Sequence, residues 1–155
     1  MTQTISKPSP EQVEAADKFL YDVVDPFYEA WSRGEFDEFR DGLLDYCTPV
    51  TRAAVGIQRL LGQVLNGGFS QWADNGYVES ADLLVRDLEK VGTPAAWETV
   101  EIVMLAVAAW RRDEDEGFDE AHWTRVEQAE DKFFDELADQ LIVDLAAWVK
   151  ANLQA

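Results

Sequence analysis

Val100-Glu101-Ile102-Val103-Met104-Leu105-Ala106-Val107-Ala108-Ala109-Trp110 decides the fold class. The stretch is apolar nearly all round, and a helix of that kind is the buried centre of a bundle. Its longest uninterrupted apolar part, Ile102 to Trp110, falls well short of the roughly 20 residues that cross a bilayer. Thr93-Pro94 just upstream supplies a cap and a proline for the first helical turn. The charged run Arg111 to Glu116, closed by Gly117, reads as a loop or frayed end.

Working outward, the same punctuation recurs. Ser9-Pro10-Glu11 opens a helix whose apolar residues fall at Val13, Ala16, Phe19, Leu20, Val23, Val24, Phe27 and Trp31, with Pro26 expected to kink or restart it and Gly34 to end it. Phe36, Phe39, Leu43, Leu44 and Cys47 mark a short second helix with Asp37, Asp41 and Asp45 on another face. Thr48-Pro49 opens a third, which is expected to stop at Asn66-Gly67-Gly68, where glycine can take the left-handed conformation. Phe69 to Asn75 reads as irregular, with at most one helical turn, and Tyr77 to Val91 as a helix ended by Gly92. From Asp119 onward the chain reads as helix, broken at most once, with Phe133, Phe134, Leu137, Leu141, Leu145 and Trp148 on its apolar face. No segment alternates with period two. The expectation is one all-α domain over residues 1–155, of six to eight helices, with residues 1–9 flexible.

The chain of 155 residues is long enough to bury a core without staples, and 47% apolar residues exclude a disordered chain. Cys47 is the lone cysteine, so neither an intrachain disulfide nor a cysteine-based zinc site can form. Met1 to Pro10 has no charged segment followed by an apolar one, so no signal peptide is visible and a cytoplasmic protein is expected.

The search for catalytic chemistry is nearly empty. There is no phosphate-binding loop, dinucleotide fingerprint, nucleophile elbow or zinc-protease helix. His122 is the single histidine. Asp119 stands three residues before it, as in metal-ligand pairs, but one His is too few for a di-iron bundle, and a surface or hydrogen-bonded role fits it better. Cys47 on an amphipathic helix reads as core. No catalytic residue, metal ligand or cofactor is expected. Of the six tryptophans most are expected in the core; Trp72 and Trp123 lie beside acids, where an interface anchor is conceivable and burial the safer reading.

The acids carry more information. With 31 Asp and Glu against 13 Lys and Arg, the net charge is −18, which repels nucleic acid and anionic lipid and favours a cationic partner. Glu127, Asp131, Asp135 and Asp139 recur at every fourth position, which on a helix gives a stripe with steps of about 6 Å, close to the phosphate interval of a nucleic-acid strand. Each like-charged pair costs about 0.2–0.5 kcal/mol. Glu130 and Glu136 flank the stripe, and Asp113, Glu114, Asp115, Glu116, Asp119 and Glu120 form the densest cluster. Such a surface fits a phosphate-like array, but also plain solvation in a salt-adapted or GC-rich host, as 16 Asp beside 5 Lys suggests.

Leu65-Asn66-Gly67-Gly68-Phe69-Ser70-Gln71-Trp72-Ala73-Asp74-Asn75 adds a resemblance. It is similar to Asn-Gly-Gly-Phe-x-Gln-[Tyr/Trp]-x-x-Asn, the signature of the all-helical family that includes the neisserial DNA-mimic protein. Gln63-Val64 before it, Leu88 to Gly92 after it and Phe134-Asp135-Glu136-Leu137 near the end resemble the family too. The resemblance implies an all-α fold, often a dimer, and carboxylates that imitate DNA phosphates to occupy a basic DNA-binding protein. The residues of the signature itself read as structure: Asn66, Gly67 and Gly68 turn the chain, Phe69 and Trp72 dock in the core, and Gln71 and Asn75 satisfy backbone groups freed by the turn. The expected partner-binding residues are Asp113, Glu114, Asp115, Glu116, Asp119, Glu120, Glu127, Glu130, Asp131, Asp135 and Asp139. An immunity-type module that neutralises one toxin, or an acidic helical domain without mimicry, remains an alternative.

Overall fold

The computed structural model describes residues 7–36 and 40–153. In chain order the helices are α1 (Pro10–Ser32), α2 (Arg40–Tyr46), α3 (Pro49–Asp74), α4 (Ala81–Val91), α5 (Pro94–Glu116), α6 (Thr124–Lys132) and α7 (Ala138–Asn152). Short 3-10 turns at Tyr77–Ser80 and Glu120–Trp123 and a π-helical turn at Phe133–Leu137 connect them, and among the described residues there is no strand. Residues 1–6, and Asp37 and Phe39 of the expected second helix, lie outside the described residues.

Each Ser/Thr-Pro pair starts a helix for the expected reason. Ser9 Oγ accepts from the Gln12 N–H at 3.2 Å while Gln12 Oε1 accepts from the Ser9 N–H at 2.8 Å, a reciprocal capping box that fixes Ser9. Thr48 Oγ1 accepts from the Thr51 N–H, and Thr93 Oγ1 from the Ala96 N–H. Pro26 does not divide α1: it sits on an exposed face, where water can satisfy the carbonyl that loses its i+4 donor.

The helix that meets most of the others is α3, which packs on α1, α4, α5, α6 and α7. Its Ala53, Ala54, Val55, Ile57, Leu60 and Val64 are fully buried. α5 is central on one side, against α3, α4, α6 and α7, and exposed on the other, where Trp97 and Met104 are about half accessible. The stretch from Val100 to Trp110 is therefore not enclosed all round. Trp31 is exposed as well, whereas Trp72 and Trp123 are buried. α5 also continues through Arg111–Glu116, where a loop or frayed end was expected, because Asp113 and Glu116 find partners across the following turn. Phe69–Asp74 is helical rather than irregular, and Tyr77–Ser80 forms a separate 3-10 turn ahead of α4.

Ion pairs join the elements at their edges. Arg40 grips Asp82 through two bonds of 2.6 and 3.0 Å, tying α2 to α4. Arg52 makes a second two-pronged contact, with the buried Asp87, tying α3 to α4.

The π-turn resolves a conflict of periods. Phe133, Leu137, Leu141, Leu145 and Val149 are all fully buried at a strict spacing of four. In an α-helix four residues advance about 40° past a full turn, so such a row would wind off the core within a few steps. The wider π-turn takes back part of that drift and keeps the row inward. Phe134, expected on the apolar face, is 42% exposed.

Candidate partner-binding surface

The chain turns sharply inside α3. Gly67 (φ −153°, ψ 16°) and Gly68 (φ 81°, ψ 177°) leave helical geometry, and a second helical limb starts at Phe69. A Cβ at Gly67 would overlap the Gln71 amide, and one at Gly68 would meet Glu130 Oε1 at 2.8 Å, besides the strained positive φ. Phe69 and Trp72 are buried as expected. Gln71 and Asn75 do something else: both donate their amides to Gln63 Oε1, at 3.1 and 2.7 Å, and Asn66 Nδ2 donates to Gln71 Oε1 at 3.3 Å. The motif thus closes a side-chain relay across the turn instead of satisfying its backbone. The exposed helix start is capped from far away in sequence, because the Phe69 N–H donates to Glu130 Oε1 at 2.8 Å. Glu130 is therefore the anionic cap of the second limb of α3.

The turn between α5 and α6 is held by a second acid. Asp113 Oδ1 accepts from the His122 ring at 2.6 Å, Asp113 Oδ2 accepts from Trp123 Nε1 at 2.7 Å, and the Asp119 N–H adds a bond at 3.3 Å. Burial opposes the charge of Asp113, but the hydrogen bonds from Trp123, His122 and Asp119, with the His122 charge, outweigh it and hold the carboxyl below its ordinary value. The second ring nitrogen of His122 faces Glu116 at 3.1 Å, so the ring bridges both acids. Asp119 caps the following 3-10 turn through the Ala121 N–H and does not touch the His122 ring. Among the described residues no group of three or more His, Cys, Asp or Glu is arranged to hold a metal ion.

Of the eleven acids expected to face a partner, Asp113, Glu116, Asp119 and Glu130 thus have internal duties. Glu114, Asp115, Glu120, Glu127, Asp131, Asp135 and Asp139 are exposed. The last four do not form one ideal α-helical stripe, since the π-turn lies between Asp131 and Asp139. Lys132, the cation within this row, is drawn to Glu98 of α5 at 3.0 Å. The Glu98 hydrogen bond and charge, together with Glu136 and Glu101, raise its pKa despite burial.

Elsewhere, burial pushes the Cys47 thiol up to about 11 against the pull of Arg52 and Arg59, which keeps it protonated at neutral pH. A cavity of about 450 Å³ between α1 and α3 is lined by Tyr21, Tyr28, Tyr77, Arg59 and two glutamines, with no His or Cys among its lining. Among the described residues no helix is long and apolar enough to cross a membrane.

The sequence signals missed by inspection were Gln63 as the hub of the motif, the Glu130 cap and the Arg52–Asp87 clasp. Only the motif carried a hint, in its unusual density of side-chain amides. No curated protein and no solved structure matches the chain. A family model described as DMP19-like protein matches residues 45–152, a span that holds α3 to α7 with the Asn66–Asn75 signature, and the chain belongs to this DMP19-like family.

Proposed function

We propose that the protein is a DNA mimic that occupies the DNA-binding surface of a basic partner and so keeps DNA away. The partner is a DNA-binding protein of the repressor, nuclease, restriction, defence or nucleoid kind. The observation that carries this reading is the charge of the segment from Asp113 to Asp139. It holds twelve acids and two cations, and ten of those acids are exposed; Glu114, Asp115, Glu120, Glu127, Asp131, Asp135 and Asp139 are the exposed ones among the expected partner-facing acids that have no internal duty. Membership of the DMP19-like family supports it independently, since the resemblance behind that family points to phosphate imitation.

The mechanism is competitive charge complementarity with no bond made or broken. Exposed carboxylates meet arginines and lysines that otherwise hold phosphates, and the shared field speeds encounter. Because exposed pairs are screened beyond about 8–10 Å, the complex weakens steeply with salt.

The test is affinity capture from host lysate at low salt, eluted first by salt and then by excess duplex DNA. Release of one DNA-binding protein by both supports mimicry. A partner that resists DNA elution supports an immunity-type module, and retention of generic basic proteins alone overturns both. A variant with Glu127→Gln, Asp131→Asn, Asp135→Asn and Asp139→Asn should fold normally and lose the partner. Undiminished binding by that variant at low salt would remove the α6–α7 row from the interface.

A further inference from the structure

The turn at Gly67 and Gly68 brings the second limb of α3 beside the Phe118–Glu130 segment, and a cavity of about 250 Å³ opens between them. That is slightly below the roughly 300–1,000 Å³ of small-molecule sites, a size for one side chain of a partner. Its wall on the α3 side is Gly67, Ser70 and Asp74, the outward residues of the family signature. Opposite stand Glu120, Glu127 and Glu130, and no basic residue lines it.

Two features besides the charge point to an occupant. Phe118 lies at the cavity and is 77% exposed, a large apolar side chain left in water in the most acidic part of the chain. Trp123, only 5% exposed, lines it too, and its indole is fixed by the bond from Nε1 to Asp113, so this wall is held in a set position while Phe118 offers the open aromatic face. Glu130 is partly committed to the Phe69 N–H, which leaves Asp74, Glu120 and Glu127 as the acids free to meet a ligand.

We propose that this cavity is an anchor pocket for an arginine side chain of the partner. The proposal rests on the DNA-mimic reading and adds to it the kind of group that is gripped. A concave acidic wall focuses negative potential and excludes anions. Aromatic faces stack on a planar guanidinium, and flanking carboxylates accept its N–H donors in pairs. An ammonium is more strongly hydrated and offers no plane to stack, so lysine fits less well. The exposed acids outside the cavity then supply general attraction, while the pocket sets register.

The free protein permits a direct test with a small probe. N-acetyl-arginine amide is titrated while the Trp123 indole N–H and the Gly67 and Ser70 amides are followed by NMR. Saturable shifts are expected with arginine amide, at least about threefold weaker binding with the lysine analogue, and none with the neutral citrulline analogue. Glu120→Gln with Glu127→Gln, both exposed positions, should weaken binding at least about tenfold with the melting temperature unchanged. Phe118→Ala should weaken arginine more than lysine. Equal binding of arginine and lysine amides, shifts that survive the double substitution, or no shift at all would each overturn the pocket.

Partner capture separates the two ideas. If wild type and the double variant retain one DNA-binding protein equally, the pocket falls and mimicry stands. If arginine amide titrates as expected while no DNA-binding protein is retained, mimicry falls and the pocket stands.

Discussion

Glu130 is where charge and architecture can be told apart. Its carboxylate takes the Phe69 N–H at 2.8 Å, and Phe69 itself is fully buried. A hydrogen bond to a charged group contributes about 1.5–3 kcal/mol, and in Glu130→Ala the donor loses this acceptor. Against this, removing one acid from the Glu127/Glu130 pair relieves about 0.2–0.5 kcal/mol of repulsion. The net expectation is a loss of about 2 kcal/mol, which for a chain of this size lowers the melting temperature by about 4–8 °C. Glu130→Gln keeps an acceptor but not the charge and should lose about half as much. Glu127→Gln, exposed on the same helix, should stay within about 0.5 kcal/mol of wild type. Urea denaturation with unchanged slope measures all three, and hydrogen exchange at the Phe69 amide should accelerate in Glu130→Ala alone. If Glu130→Ala costs no more than Glu127→Gln, the cap is not a stabilising contact and Glu130 belongs with the free surface acids.

Four further outcomes are expected. Gly68→Ala, at φ 81°, should cost about 1–3 kcal/mol in urea unfolding, and Gly67→Ala should scramble the Gln63–Gln71–Asn75 relay, seen as loss of protected side-chain amide signals. The folded-state pKa of Asp113 is lowered, so its contribution to stability is present above the unfolded value of about 3.9 and is lost as pH falls through the folded value; Asp113→Asn should flatten the acid limb of the stability profile below about pH 4. Alkylation of Cys47 should be slow at pH 8 and rise toward a midpoint near 11, and a midpoint near 8.5 would show that burial does not protect it.

Helix starts were legible because their chemistry is local: Ser9, Thr48 and Thr93 each cap a proline-led first turn from one residue away. The burial of Phe69 and Trp72 was legible for the same reason, since a sharp turn must dock its apolar residues. The end of α5 was not. Arg111 to Glu116 has the composition of a loop, and contacts with His122 and Trp123, set by the fold, join the local Arg112–Glu116 pair in holding it as helix. The acid row was legible as a count and a spacing, while its division into structural and exposed members was not. Glu130 meets a donor sixty-one residues away, and Asp113 turns inward because an indole happens to return to it. The exposure of Trp97 also escaped a pattern-based reading, because an apolar residue on a mostly apolar helix does not say which side lacks a neighbour.

The π-turn at Phe133–Leu137 has a consequence for how such a chain can vary. A π-turn amounts to one residue more than regular winding needs, so deleting one residue there would restore an α-helix and rotate α6 by about 100° relative to α7. With Phe134 as the residue removed, the acid count and the buried core residues Phe133 and Leu137 would stay as they are. Yet Glu130 would swing away from Phe69, and Glu127 and Asp131 would point to a different quarter of the molecule. Chain length at this turn therefore acts as an address: two chains of equal charge that differ by one residue here would present their carboxylates on different faces of the molecule.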